Sequence, residues 1–275
     1  MEPFLKWPGG KRWLTKKCPQ IFSLKTNTYI EPFVGGGSVY FFLEHQNAII
    51  SDLNRDLIKT YQALAKDPNK ILERLMDHQL NHCSDYFYKI RSIKYSDSFD
   101  LAARFIYLNR TAFNGMYRVN QSGQFNVPIG TKTKIDYDFE RFSDYSNLLK
   151  TASIRNEDFV KSICRAGSGD FIFADPPYTV SHNNNGFIQY NEKLFSWEDQ
   201  IRLLSALTKA VNRGADVITT NAAFPELKML YEDRGFYVYT ISRYSSISGN
   251  NKGRNVQNEY IISSLELNLG QEETR

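Results

Sequence analysis

The chain has 275 residues, of which 41% are hydrophobic and 14% aromatic, enough to bury a full core in one large domain or two smaller ones. Such a composition excludes a disordered chain, and no apolar run approaches the roughly 18 residues of a membrane span. The net charge of +4 is unevenly spread: between residues 86 and 134, Lys89, Arg91, Lys94, Arg104, Arg110, Arg118, Lys132 and Lys134 face only Asp97 and Asp100, a local basic surface suited to a polyanion.

The N-terminal stretch MEPFLKWPGGKRWL lacks the apolar core of a signal peptide. Cys18, Cys83 and Cys164 are odd in number, far apart and in no metal spacing, which fits a reduced, cytoplasmic protein. In HQLNHC, His78 and His82 stand at i and i+4 and could grip a metal on a helix. No second pair of ligands lies nearby, so the two are expected on a solvated helix face.

In chain order, TYIEPFV (28–34) reads as a strand running into the glycines GGGS, and SVYFFLEHQ reads as a short helix. NAIISDLN is a second strand ending on an acid. Residues 59–145 break this rhythm. They hold a helical stretch, LAARFIYLNRTAFN, with Leu101, Phe105, Leu108 and Ala112 on one face. A Gly/Asn-rich segment, NGMYRVNQSGQFNVPIG, follows as a hairpin or ordered loop. FIFA (171–174) is a third strand. SWEDQIRLLSALTKAVNRG is an amphipathic helix with Ser196 as N-cap, Ile201, Leu204, Leu207 and Val211 as its apolar stripe, and Gly214 at its end. ADVITTN is a fourth strand. FYVYTISR and EYIISSLEL read as a closing antiparallel pair around the polar loop SSISGNNKGRNVQ, whose Lys252 and Arg254 could meet a polyanion and which reads at least as well as a disordered loop. Strands alternating with helices at both ends predict an α/β protein with a mainly parallel sheet. The segment 59–145 is then an inserted, mainly helical lobe, and 1–58 with 146–275 make the sheet domain.

Two motifs carry chemistry. In EPFVGGGSV, Gly35, Gly36 and Gly37 allow a tight turn with close approach of the backbone to a ligand, and Asp52 ends the next strand where a carboxylate would take a ribose diol. A tight turn without any ligand has the same local sequence. In DFIFADPPYTV, a buried strand runs into Asp175, Pro176, Pro177 and Tyr178. Proline fixes φ and lacks a donor, so the chain leaves the ladder on a stiff ledge. Methyl transfer to an exocyclic amine needs little acid–base work; it needs the delocalised lone pair aimed in line at the methyl carbon. A carboxylate (Asp175) and a carbonyl (Pro176) accepting the amine's N–H bonds would localise that lone pair, and the Tyr178 face would hold the base by stacking.

With these blocks in place, the chain resembles the DNA adenine-N6 methyltransferases of the Dam type. The likeness rests on FLKWPGGKR, EPFVGGGSV, SDLNRDLI, YLNRTAFNGMYRVNQSGQFNVPIG, FADPPY and the C-terminal strand pair, in the family's order over nearly the whole length. It implies a seven-stranded, Rossmann-like methyltransferase sheet with a reversed last strand and an inserted target-recognition lobe carrying a hairpin. It implies S-adenosyl-L-methionine as methyl donor, no metal, and double-stranded DNA as partner. No membrane and no obligate protein partner are implied; a cognate restriction endonuclease is left open.

By the same resemblance, Trp7, Lys11, Phe33 and Gly35 line the cofactor pocket, with Lys11 near the methionine carboxylate. Asp52 binds the ribose hydroxyls, Asp158 and Phe159 flank the cofactor adenine, and Asp175 borders both cofactor and target base. Lys6 is similar to a lysine that faces DNA. Arg118 matches an arginine that reads a guanine edge, and Met116 and Pro128 fall where relatives touch neighbouring bases. Phe113 occupies the place of an aromatic wedge behind a flipped adenine, followed by Asn114. The expected reaction is N6-methylation of adenine within GATC by base flipping. Other GAT-containing sites share much of the hairpin. A silent DNA-binding scaffold and a methyltransferase acting on RNA or a protein amide are the rival readings.

Overall fold

The computed structural model describes residues 1–120, 123–132, 139–178, 195–244 and 256–269. The chain forms two compact units, one of residues 1–22 and 34–157, the other of residues 23–33 and 158–275. Seven strands make one mixed sheet. The segment 59–145 lies wholly within the first unit.

The second unit supplies five strands: β1 (Tyr29–Glu31), β4 (Phe171–Ala174), β5 (Asp216–Ala222), β6 (Tyr237–Tyr244) and β7 (Val256–Ser263). Their order is β1-β4-β5-β7-β6. β1, β4 and β5 run parallel, with Tyr29 beside Phe171, Phe171 beside Asp216 and Ala174 beside Thr219. The last strand, β7, enters between β5 and β6 and is antiparallel to both. This is the reversed last strand that the resemblance implies. β4 is buried along its whole length, as the unbroken apolar run FIFA requires of a strand covered on both faces. Pro32 stops β1 after three residues, short of the 28–34 expected. β7 begins at Val256, before the Glu259 expected from the sequence, and ends at Ser263.

The long helix of this unit spans Trp197–Asn212. Ser196 caps it with a reciprocal box, accepting from Asp199 N while the Asp199 carboxylate accepts from Ser196 N. Gly214, at φ +91°, lets the chain turn out of the helix. The apolar stripe is rotated from the one expected. Gln200, Leu203, Leu204, Ala206, Leu207 and Ala210 are buried, whereas Ile201 is 47% exposed. Gln200 takes the inward place because its amide finds partners there, so the buried arc includes a polar residue that a hydrophobicity pattern passes over.

The first unit holds β2 (Ala48–Ser51) and β3 (Ala152–Arg155), paired in parallel from Ala48 beside Ala152 to Ser51 beside Arg155. β3 was not among the strands expected from the sequence. It is short, and its side chains stay half-exposed to exposed, so no apolar run announces it. The helices of this unit are α1 (Arg12–Lys17), α2 (Ser38–Leu43), α3 (Arg55–Lys66), α4 (Pro68–Leu80), α5 (Ser84–Ser92), α6 (Ser98–Thr111) and α7 (Phe142–Lys150). Phe4 anchors their core, with ring centroids 5.1–5.9 Å from those of Phe41, Tyr61, Phe142 and Tyr145.

α6 is buried over most of its surface, the polar Asn109 and Thr111 included, and ends at Thr111, three residues before the expected end. Past it, Phe113–Gly115 make a 3-10 turn with Asn114 in the left-handed region at φ +54°. The hairpin expected after it is present. Val119 bridges Phe125 and Ala112 bridges Ile129, both antiparallel. Asn120 N donates to Gln124 O (2.8 Å) and Asn126 N to Arg118 O (2.8 Å).

His78 corrects the solvated-face reading of HQLNHC. It is buried (7% exposed), stacked on Tyr107 at 4.7 Å, with Nδ1 2.8 Å from the Tyr86 hydroxyl. His82 is half-buried, its Nδ1 2.8 Å from the Tyr107 hydroxyl. An aromatic cluster draws both rings inward. None of Cys18, Cys83 and Cys164 is in a disulfide. No helix among the described residues is long and apolar enough to cross a membrane. Lys252 and Arg254 lie outside the described residues.

Candidate active site

In the first unit, the glycine turn, Trp7 and Asp52 form one cluster. Gly35 sits at φ +46° and Gly37 at φ +71°, a region that favours glycine. Space imposes the same choice: a Cβ on Gly35 would lie 2.6 Å from Trp7 Nε1, and one on Gly36 2.8 Å from Trp7 Cβ. The indole therefore lies directly against the turn. Gly35 N donates to Asp52 Oδ2 (3.1 Å), and its carbonyl accepts from the Tyr61 hydroxyl (2.7 Å). Asp52 Oδ1 accepts from Asn54 N (2.8 Å), and Asn54 in turn caps α3 by accepting from Leu57 N (3.1 Å). Burial pushes the Asp52 carboxyl above its usual range, against the pull of the Asn54, Gly35 and Leu53 N–H groups. Lys11 is buried (2% exposed), with Nζ donating to Gly9 O (2.9 Å).

The other indole contact of Trp7 comes from the hairpin. Tyr117 stacks on it at 5.5 Å and 18°. Burial raises the Tyr117 phenol to about 12. Next to it, Arg118 is exposed, and its Nη2 donates to Asn126 O across the hairpin (2.9 Å). Phe113, 46% exposed, is held by its N–H to Pro128 O (2.9 Å), so Phe113 and the exposed Pro128 stand side by side. Asn114 is exposed and Met116 half-buried. Lys6 joins this surface through Asn109: Lys6 N donates to Asn109 Oδ1 (2.9 Å), and Asn109 Nδ2 to Lys6 O (2.7 Å). A Cβ on Gly115 would collide with the Lys6 stem, 2.2 Å from its Cδ. Desolvation lowers the Lys6 pKa, helped by the neighbouring cations Lys132, Arg110 and Arg12.

In the second unit, Phe33, Phe159 and Phe195 form an aromatic trio. Phe33 stacks on Phe159 at 5.2 Å, and Phe195 lies 5.7 Å from each. Asp158 caps the short helix that follows it by accepting from Val160 N (3.0 Å), and it takes both oxygens to Arg202 Nη2 (3.0 and 3.1 Å). The same guanidinium lies over the Phe159 ring at 4.9 Å. Asp175 leaves β4 beside β5, where the Thr220 hydroxyl donates to its Oδ1 (2.7 Å). Pro176 is buried, and the Tyr178 hydroxyl donates to Glu259 Oε2 on β7 (2.6 Å).

The chain has relatives among known proteins. Residues 7–247 match the family model of the D12 class N6 adenine-specific DNA methyltransferases. The chain belongs to this family. It is 34% identical over 263 residues to the type II methyltransferase M1.LlaDCHI of Lactococcus lactis subsp. cremoris, covering 92% of this chain and 93% of that one. It is similar to the type II methyltransferase M.MjaIII of Methanocaldococcus jannaschii, 34% identical over 244 residues, with 81% and 84% covered. It is 30% identical over 264 residues to the DNA adenine methylase of Vibrio cholerae, with 94% of each chain covered. The protein is thus an adenine-N6 DNA methyltransferase, for which the family implies S-adenosyl-L-methionine as methyl donor and duplex DNA as substrate.

Some residues in contact with these positions were passed over by sequence reasoning. Tyr117 and Asn109 bind the hairpin and the Lys6 segment to the glycine-turn cluster, and Thr220 and Glu259 hold Asp175 and Tyr178. Only Tyr117 had a local signal, as an aromatic inside MYRVN. The others depend on strand register or on contacts across many residues.

Proposed function

We propose that this methyltransferase converts adenine to N6-methyladenine within GATC in duplex DNA, after flipping the adenine out of the stack, and that it works in the cytoplasm. The observation that carries the reading is the ledge past β4, where Asp175 and Tyr178 leave a buried strand with their polar atoms already anchored. Open α/β sheets bind ligands at this edge.

Asp175 and the Pro176 carbonyl accept the N–H bonds of the target amine, and the Tyr178 ring stacks on the base. A base inside the duplex cannot present its amine to such a ledge, so extrusion precedes chemistry. S-adenosyl-L-methionine, when bound, supplies an electrophilic methyl carbon, and the transfer requires no metal. The residues present fit this donor by their chemistry. The buried Lys11 ammonium suits a carboxylate, the Asp52 carboxylate suits a ribose diol, and Gly35 lets the backbone come close beside Trp7. The half-buried Phe33, backed by Phe159, offers aromatic surface to an adenine ring, and Asp158 an acceptor to its amine.

Residues 59–145 serve as the target-recognition lobe on a catalytic domain of 1–58 and 146–275. Arg118 reads a guanine edge bidentately, while Met116 and Pro128 touch neighbouring bases. Phe113, exposed at the turn, enters the gap left by the flipped adenine with Asn114 behind it, and Lys6 meets DNA nearby. The test is single-molecule sequencing of a plasmid grown with this gene in a host without adenine methylation. N6-methyladenine confined to GATC supports the whole reading. Another GAT-containing site keeps the chemistry and overturns the assigned specificity. Absence of the mark with folded enzyme present overturns the catalytic assignment.

A further inference from the structure

We infer that Thr220 and Glu259, on the neighbouring strands β5 and β7, are positioning residues that aim the Asp175 carboxylate and the Tyr178 ring at the acceptor amine. The inference rests on the reading of Asp175 and Tyr178 given above.

The placement follows from register. Ala174 is the last residue of β4 and pairs with Thr219, so the next step along both strands sets Asp175 beside Thr220. Thr220 is buried, at 1% exposure, and its hydroxyl donates to Asp175 Oδ1 at 2.7 Å. The terminal torsion of an aspartate is broad and roughly two-fold, so a carboxylate without such an anchor samples a wide arc. Pinning Oδ1 fixes the carboxylate plane and sets the direction of the Oδ2 lone pairs. Thr220 is itself held. Its neighbour Asn221 donates to Gln200 Oε1 (3.0 Å), and Gln200 Nε2 donates to the Tyr231 hydroxyl (2.9 Å), a buried chain that ties β5 to the long helix.

Glu259 does the same for the ring. It lies across from Ala222 on β5 and Ile241 on β6, with 2% of its surface exposed. The residues that follow it on β7, Tyr260, Ile261 and Ile262, are buried and largely apolar. A position serving only the fold would favour an apolar side chain too, since a buried carboxyl is unfavourable unless hydrogen-bonded. Here it accepts from the Tyr178 hydroxyl at 2.6 Å, so the ring is fixed at its backbone end and at its far end together. Small angular errors at a reacting centre are amplified in rate while leaving ground-state binding intact. Positioning should therefore be read in kcat rather than in affinity.

The experiment compares Thr220→Val with Thr220→Ser, and Glu259→Leu with Glu259→Gln, in the full-length enzyme. It measures kcat on GATC-containing duplex at saturation, and the dissociation constants for cofactor and DNA separately. Thr220→Val and Glu259→Leu are expected to lower kcat by roughly ten- to a hundredfold, with both dissociation constants changed less than about threefold. Thr220→Ser and Glu259→Gln keep a donor and an acceptor respectively and should restore kcat to within about threefold. Tyr178→Phe removes one hydroxyl without disturbing packing, so it serves where a β-strand variant fails to fold. It should lower kcat like Glu259→Leu, and a second Glu259→Leu change should add nothing further. An inactive Asp175→Ala beside fully active Thr220→Val and Tyr178→Phe overturns this inference alone. An active Asp175→Ala overturns the catalytic reading on which it stands.

Discussion

Trp7 and Tyr117 lie face to face, 5.5 Å apart, and the same indole closes against Gly35 and Gly36. One ring thus touches the glycine turn, while its partner is the residue before Arg118 in the hairpin. A ligand that orders the turn can act on the hairpin through this stack, and any such coupling must be reciprocal.

Tyr117→Leu tests that link. In the unaltered enzyme, bound cofactor should tighten DNA binding by the factor by which DNA tightens cofactor binding. Losing the stack should reduce the coupling by about 1 kcal/mol. Titration calorimetry with each ligand in the presence and absence of the other measures it. An unchanged coupling in the leucine variant would show that the stack is only packing.

Asp52 should make cofactor affinity depend on pH. Burial raises its carboxyl pKa, so on acidification it takes up a proton sooner than an exposed aspartate would. Only the ionised form accepts from a ribose diol with full charge. Affinity should therefore rise with pH through the Asp52 titration and level off above it. Asp52→Asn should bind more weakly and lose this slope, leaving DNA affinity untouched. A slope that persists in the asparagine variant assigns it to another group.

His78 should shape acid stability. Burial lowers its pKa from 6.5 to about 4. Between those values the unfolded chain binds a proton that the native state refuses, so stability falls as pH drops from 6.5 towards 4. The loss is about 3 kcal/mol for a shift of this size. His78→Phe keeps a ring against Tyr107 and removes the titration. Urea unfolding across that pH range should show a flatter acid limb in the variant; parallel curves would show that His78 contributes nothing to it.

Arg118→Ala should relax discrimination at one base pair by roughly 1–3 kcal/mol. The guanidinium is exposed and already oriented by the Asn126 carbonyl, so little of its freedom remains to be lost on binding. Rates on substrates varied one pair at a time measure the effect. An equal loss on every sequence would make Arg118 a phosphate clamp.

What the sequence revealed, and what it hid, follows from locality. FIFA (171–174) coincides with β4, and the helix caps at Ser196 and Gly214 are where the residues suggested, because each is decided within a few neighbours. The glycine turn was legible for the same reason. β3 escaped notice because an exposed four-residue strand leaves no apolar run. Ile201 was placed inward because a hydrophobicity pattern cannot see that Gln200 has partners at Tyr231 and Asn221. His78 was placed outward because the aromatic cluster that buries it is assembled from α4, α5 and α6. Thr220 and Glu259 stand 45 and 81 residues from the groups they hold, and only strand register brings each pair together.

The position of β7 sets an order of assembly. Since it lies between β5 and β6, neither of those strands is paired on its facing edge until residues 256–263 arrive. Glu259 travels with them, so the partner of Tyr178 is among the last parts of the sheet to leave the ribosome. Residues 1–255 include the sequence of the glycine turn, the hairpin and Asp175, yet lack the strand whose Glu259 holds the tyrosine. The sheet, and with it the contact between Glu259 and Tyr178, is therefore completed only when β7 enters.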